Sequence, residues 1–266
     1  LRLKKSGINV VITVDCGTTA LAPLEIAKNT GIDVIVVDHH VAEANLPPAY
    51  AIVNPNRIDD QSGQGELAAV GVAFLLIVGI NRSLRKLGWF MNRAEPNLLK
   101  WLDIVALGTV CDVVPLRGVN RALVYQGLKI MASRGNPGIR ALVDLVNLNE
   151  APTSFHIGYM LGPRVNAGGR VGASDLGALL LSTDNQSDAD RIANQLDGYN
   201  SERKAIENSV LNSALDQVDA SQASGAVVFA VGEAWHPGVI GIVASRLKDR
   251  FNRPAVVISI DTKNNV

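Results

Sequence analysis

A short β-branched apolar run that stops at an acid occurs twice near the start of the chain, and it constrains the fold more than any other feature. Val10-Val11-Ile12-Thr13-Val14 ends in Asp15, and Val34-Ile35-Val36-Val37 ends in Asp38-His39-His40, which holds two of the four histidines. Such runs suit buried parallel strands. Between them, Leu21, Leu24, Ile26 and Ala27 recur at helical spacing, with Gly17 as a turn, Thr18 or Thr19 as a cap and Gly31 as a stop. A strand–helix–strand unit makes the two strands parallel and near neighbours. Asp15 and Asp38-His39-His40 then fall on the C-terminal edge of one sheet, where open α/β folds bind ligands.

The rest of the chain extends this α/β pattern. Tyr50 to Val53 predicts a third strand, and Leu67 to Ile80 a buried helix too short, against the ~20 residues needed, to span a bilayer. Leu98 to Leu107 predicts a helix running into Gly108-Thr109-Val110-Cys111-Asp112, where a lone acid in apolar surroundings must be paired, hydrogen-bonded or metal-bound. Arg121–Ala132 and Ile139–Val146 predict further helices. An apolar stripe from Ser187 to about Val218 predicts a helix ~48 Å long, of a length that suits a connector. A second α/β unit follows: strand Ala226–Val231, helix Val239–Arg250 and strand Ala255–Ile260. The Gly238-Val239-Ile240-Gly241 turn behind His236-Pro237 offers backbone amides to an anion.

Composition narrows the classes. Twenty-five basic and twenty-five acidic residues give a net charge of zero, so nucleic-acid binding would have to come from a local patch. Cys16 and Cys111 cannot form a secreted disulfide framework and are expected as small buried thiols. No signal peptide or membrane span is visible, consistent with a cytoplasmic protein. Leu1 in place of Met, and an end at Val266 inside a strand-and-turn pattern, predict an internal stretch of a longer protein.

Three candidate sites emerge. Asp15, Asp38, His39 and Asp112 combine carboxylates with imidazole, a donor set favouring manganese or magnesium over structural zinc. Gly162-Pro163-Arg164-Val165-Asn166-Ala167-Gly168-Gly169-Arg170 is either a phosphate-binding loop, with Arg164, Asn166 and Arg170 on the anion, or a tight turn with solvated arginines. His236, Arg246 and the neighbouring Lys248, Arg250 and Arg253 carry less on their own; the four basic residues also fit the wet side of a helix.

These blocks resemble the DHH phosphoesterase superfamily and, within it, the RecJ-type single-stranded-DNA exonucleases. The resemblance rests on Val14-Asp15-Cys16-Gly17, Val37-Asp38-His39-His40 and Gly108-Thr109-Val110-Cys111-Asp112-Val113-Val114-Pro115-Leu116. It also rests on Pro163 to Arg170, Asn200-Ser201-Glu202-Arg203 and Trp235 to Arg246, all in the family's order. It implies an α/β fold: a parallel-sheet DHH domain over residues 1–184, a connecting helix over 185–221 and a smaller α/β DHH-associated nucleic-acid-binding domain over 222–266. It also implies 5′-to-3′ hydrolysis of single-stranded DNA in repair and recombination, with manganese or magnesium in a two-metal site. Asp15, His39 and Asp112 match metal ligands, and Asp38 and His40 complete the signature as catalytic groups, either ligating the metal or supporting its ligands and facing the phosphate. Arg164, Asn166, Arg170, His236 and Arg246 match nucleic-acid-binding positions. The expected partners are single-stranded DNA and other repair proteins, with no membrane and a monomeric state. The family's first acidic motif, on a strand before Asp15, has no counterpart here, so residues 1–266 alone are expected to be inactive. Two other readings stay open: a superfamily phosphodiesterase acting on short oligonucleotides or cyclic dinucleotides, and a non-catalytic repair scaffold. The first usually carries a Gly-Gly-Gly-His block where this chain has His236-Pro237-Gly238-Val239-Ile240-Gly241.

Overall fold

A computed structural model describes residues 2–218 and 225–261. After a one-turn helix, α1 (Arg2–Lys5), the first unit builds β1 (Val10–Val14), α2 (Leu21–Asn29), β2 (Asp33–Val37) and β3 (Ala51–Val53). All three strands are parallel, in the order β1-β2-β3, with Val10 paired to Asp33 and Val14 to Val37. The central strand is the most buried: Val36 and Val37 are fully enclosed, Val36 under α2 with Leu24, Ile32 and Val34. Val37 lies on the opposite face, with Leu67 and Val72. Period-2 alternation thus gives β2 two apolar faces, as a strand covered on both sides requires. Val10, Ile12 and Val14 of β1 face outward and are exposed.

Helix α3 (Ala69–Lys86) extends past the expected end at Ile80 and takes in Arg82, Arg85 and Lys86. It buries Ala69, Gly71, Val72 and Phe74, while Leu75, Ile77, Val78 and Ile80 are exposed, so it is half-buried rather than enclosed. A 3₁₀ turn (Leu98–Trp101) leads into α4 (Leu102–Cys111), which packs on α5 (Gly118–Ala132). The two helices approach at Gly127, where a Cβ would lie 2.1 Å from the Leu102 carbonyl oxygen.

The compact units are Leu1–Gly135 with Asn149–Tyr159, and Asn136–Leu148 with Met160–Val266. The short α7 (Ser154–His156) closes the first, with Thr153 and His156 forming a reciprocal cap. In the second, α6 (Pro137–Leu145), α8 (Gly162–Val171) and α9 (Leu176–Ser182) gather around α10 (Gln186–Leu215), which is 30 residues long. At 1.5 Å per residue α10 spans about 45 Å. Its later turns pack on β4 (Val228–Glu233), α11 (Pro237–Phe251) and β5 (Ala255–Ile260). The strands β4 and β5 pair in parallel, and Val210, Ala214, Val228, Ala230, Val239, Val243 and Leu247 form the core between helix and sheet. Among the described residues no helix is long and apolar enough to cross a membrane.

One buried acid escaped the sequence reading. Asp103, in the first turn of α4, is 1% exposed; its Oδ1 accepts from the Ile104 amide at 2.7 Å and its Oδ2 has no hydrogen-bond partner. Burial raises its carboxyl above the ordinary aspartate range, against the lowering by backbone amides. A raised folded-state pKa adds stability below the unfolded value, and that contribution is lost as pH climbs through the folded value. The Asp103→Asn protein should therefore be more stable than the parent at pH 7 by roughly 1–3 kcal/mol, because the buried charge is removed, and should melt at a higher temperature. Thermal melts at pH 7 and pH 4 check this: the gap should narrow at pH 4, and an equal gap at both would contradict it.

Candidate metal centre

The ladder of β1 and β2 continues to Asp15, whose amide donates to the Val37 carbonyl at 2.9 Å. The chain then breaks the strand, with Asp15 at φ 62°. Gly17 follows at φ +119°, where a Cβ would meet Thr13 Oγ1 at 2.9 Å and Val36 at 3.2 Å, so the turn needs glycine. This reversal explains why Cys16 is exposed rather than buried: it sits in the turn, where strand alternation no longer applies. Cys111 is partly buried, and burial with the Asp112 charge pushes its thiol up to about 11.

Asp112 is the C-cap of α4. Gly108 lets that helix press on α3, since a Cβ there would lie 2.8 Å from Val70 Cγ1. Val113, next in the chain, is a β-branched residue at φ 60° and 88% exposed, a strained conformation beside the cluster. The Asp112 side chain is about one-third exposed, so it is not the buried acid its apolar neighbours suggested.

These elements bring Asp15, His39 and Asp112 together. His39 Nε2 lies 3.3 Å from Asp15 Oδ1 and 3.4 Å from Asp112 Oδ2. A ring nitrogen of His40 completes a group with Asp15 and His39 whose donor atoms lie within 4.8 Å of one another. His39 Nδ1 is 3.0 Å from the Leu67 carbonyl, which can only accept, so Nδ1 carries the hydrogen. Nε2 then faces two carboxylates, so the point between them calls for positive charge, which a bound cation or a proton on Nε2 supplies. Oxygen and imidazole donors around one point, with the distal ring nitrogen anchored to a carbonyl, fit a divalent ion. Burial raises the Asp112 carboxyl; the His39 ring pulls it back, Asp15 adds to the rise and His40 opposes it.

Asp38, expected as a catalytic group, is 1% exposed and hydrogen-bonded within the loop. Its Oδ2 accepts from the Thr18 amide at 3.0 Å, and its Oδ1 from the His39 and His40 amides and from His40 Nδ1 at 2.7 Å. Burial pushes its carboxyl up, but the hydrogen bonds from His40, Thr18 and His39 prevail and hold it far below the usual range. The Asp38 bond in turn raises the His40 pKa, against the effect of partial burial. Asp38 therefore orients His40, whose side chain is 60% exposed.

Two asparagines that sequence reasoning missed brace the same loop. Buried Asn54 donates to Thr18 Oγ1 and to the His40 carbonyl, both at 2.9 Å. Asn56 donates to the His39 carbonyl at 2.5 Å and to Gly65 at 2.9 Å. Their signal was position: Asn54-Pro55-Asn56 closes β3 at the sheet edge that carries Asp15 and Asp38.

In the second unit the expected phosphate loop is a helix. Pro163 starts α8, where its fixed φ is favourable, and the glycines admit close packing. A Cβ on Gly168 would lie 2.5 Å from the Ala173 carbonyl and 3.1 Å from Leu196. Arg164 is drawn inward, with Nε 2.8 Å from Asp197 and Nη1 donating to Met160 O at 2.7 Å. Asn166 and Arg170 are exposed, and Arg170 Nη1 donates to Gly238 O at 3.2 Å. His236 caps α11, its Nδ1 accepting from the Gly238 amide at 3.0 Å. Arg246, 63% exposed, stands further along α11 beside Glu207. The structure thus brings Arg170 to the α11 N-terminus with His236, and leaves Arg164 in an internal ion pair.

A parallel α/β sheet with acids and imidazoles converging at its C-terminal edge defines an α/β protein with a candidate divalent-metal centre. Residues 3–109 match the DHH family, N-terminal domain. It is similar to the single-stranded-DNA-specific exonuclease RecJ of Escherichia coli, with 43% identity over 95% of this chain and 45% of that protein. It is also similar to RecJ of Thermus thermophilus, with 33% identity over 94% of this chain and 35% of the relative. The crystal structure of the Thermus protein in complex with Mn2+ superposes with a TM-score of 0.81 at 32% identity, covering 94% of this chain and 36% of that one. A manganese-bound exonuclease RecJ gives 0.82 at 30% identity, covering 97% and 64%. The chain spans about half the length of the first relatives it matches.

Proposed function

We propose that this chain carries the metal centre and part of the DNA-contacting surface of an exonuclease that degrades single-stranded DNA from the 5′ end in repair and recombination. The observation that carries the reading is His39: its Nδ1 is committed to a carbonyl while its Nε2 faces two carboxylates. Manganese or magnesium held by Asp15, His39 and Asp112 would supply positive charge at the scissile phosphate and a more acidic water. Asp38 fixes the His40 ring beside that point, so that its outer nitrogen can hydrogen-bond a phosphate or leaving oxygen. Asn54 and Asn56 hold the backbone of both histidines, which keeps the donors in register without substrate. Asn166, Arg170, His236 and Arg246 serve the nucleic-acid strand. With aromatic residues at 5% of the chain, backbone contacts outweigh base stacking.

In this reading residues 1–184 form the DHH domain, 185–221 the connecting helix and 222–266 the associated domain; the boundary at 221 lies outside the described residues. The protein would act as a monomer in the cytoplasm, alongside other repair proteins. Similarity to single-stranded-DNA exonucleases over nearly the whole chain favours this reading over an oligonucleotide phosphodiesterase or a scaffold.

The test is nucleotide release from a 5′-phosphorylated single strand by the full-length protein that contains this chain. Release should require manganese or magnesium, and Asp112→Ala should lower its rate about a thousandfold, as loss of a directly acting group does. Residues 1–266 alone should release none, because the carboxylates Asp15 and Asp112 offset the charge of one divalent ion rather than that of two. Metal-independent release, or release unaffected by Asp112→Ala, would reject the reading.

A further inference from the structure

On one face of α10, Asn200, Arg203 and Glu207 follow one another at three- and four-residue steps, and all three are largely buried. Glu207, 5% exposed, binds two guanidiniums at once. Its Oε2 accepts from Arg203 Nη1 at 2.5 Å and its Oε1 from Arg246 Nε, reaching over from α11, at 3.3 Å. Arg203 also donates from Nη2 to Asn200 Oδ1 at 3.2 Å, and its side chain is 11% exposed. One arginine would neutralise this carboxylate, and Arg203 does so inside the fold. The second pairing leaves Glu207, Arg203 and Arg246 together with a net positive charge, carried on the exposed Arg246. Among the described residues Arg246 makes no other hydrogen bond, so Nη1 and Nη2 are open to solvent. Two parallel N–H groups on a planar guanidinium match two phosphate oxygens.

We propose that Glu207 is a positioning residue: by holding Arg246 through Nε it fixes the Nη1/Nη2 edge as a fork for a backbone phosphodiester of single-stranded DNA. The proposal rests on the single-stranded-DNA reading above and assigns within it the group that orients a contact. Glutamine at 207 separates orientation from charge. Its single carbonyl oxygen is retained by buried Arg203, and its NH2 turns a donor toward Arg246, which is released while the local charge becomes more positive.

The experiment measures binding of a fluorescent oligothymidylate to the 266-residue chain by anisotropy across a salt series, with thermal melts to verify folding. Arg246→Ala should weaken binding and lower the salt slope by about 0.7, the loss of one single-strand phosphate contact. Glu207→Gln should weaken binding by about fivefold despite the added positive charge. The double variant should bind no more weakly than Arg246→Ala alone, because an arginine that is not held has little left to lose. Glu207→Asp keeps the charge on a shorter arm, should also release Arg246, and serves if the glutamine variant does not fold. If Arg246→Ala weakens binding but Glu207→Gln binds as tightly as the parent or tighter, or if the two losses add, the positioning role is overturned. If the parent chain does not bind the oligonucleotide, the nucleic-acid reading itself fails and this assignment falls with it.

Discussion

Replacing His39 with alanine is expected to reduce manganese affinity at least about a hundredfold, since loss of supporting contacts alone costs 10–100-fold and this change removes a donor. His39 is the central member of the cluster. Its Nε2 stands 3.3 Å from one carboxylate and 3.4 Å from the other, and the Leu67 carbonyl holds its ring from the far side. Without the ring, Asp15 and Asp112 remain as an acid pair with no neutral donor between them. Asp15 is more than half exposed, so water can solvate the pair and the fold should persist. Calorimetric titration with manganese, paired with circular dichroism, reads both effects. A folded variant with unchanged affinity would move the ion away from His39.

The Gly127→Ala substitution should be the most damaging single methyl in the first unit. Its Cβ would stand 2.1 Å from the Leu102 carbonyl oxygen and 2.5 Å from Ala106 Cβ. Both contacts are far inside van der Waals distance, and one is with backbone that no rotamer change can move aside. Helices α4 and α5 would have to separate, opening the layer around Phe74, Leu102 and Val105 and shifting Asp112 at the end of α4. Overpacking of this kind costs about 3 kcal/mol, at the upper end of the usual range. For a chain of this size that lowers the melting temperature by roughly 6–12 °C. Manganese affinity should fall with stability, because the same helix carries Asp112. A variant that melts within 2 °C of the parent, as roughly half a kcal/mol would allow, contradicts this packing.

The sheet was legible because short β-branched apolar runs bounded by turn residues have few other solutions, although β1, expected to be buried, leaves Val10, Ile12 and Val14 exposed because it lies at the sheet edge. The Val10–Val14 and Val34–Val37 runs and their acidic ends were readable without any structure, and with them the edge where Asp15 and His39 meet. Asp112 was reached by a weaker argument, that a lone acid in an apolar segment needs a partner, and it stands 3.4 Å from His39 Nε2. A lone acid in an apolar segment suggested burial, yet Asp112 caps α4 and is one-third exposed, while Asp103, nine residues earlier and on the opposite side of the helix, is the enclosed one. Burial depends on which face meets α3 and α5, and local sequence does not encode that. The glycines of α8 suggested a loop where the structure has a helix, because a small residue serves a close-packed helix as well as a turn, and a Cβ on Gly168 would lie 2.5 Å from Ala173 O. Asn54 and Asn56 were invisible because their partners, the backbone carbonyls of His39 and His40, exist only once β2 and β3 are paired.

Manganese located by anomalous scattering in crystals of this chain tests the central claim most directly. The account predicts a peak bonded to His39 Nε2 and to carboxylate oxygens of Asp15 and Asp112 at about 2.0–2.6 Å, with His39 Nδ1 still on the Leu67 carbonyl. A peak elsewhere, or an edge where Asp15, His39 and Asp112 keep their present contacts and hold no ion at saturating manganese, would contradict it.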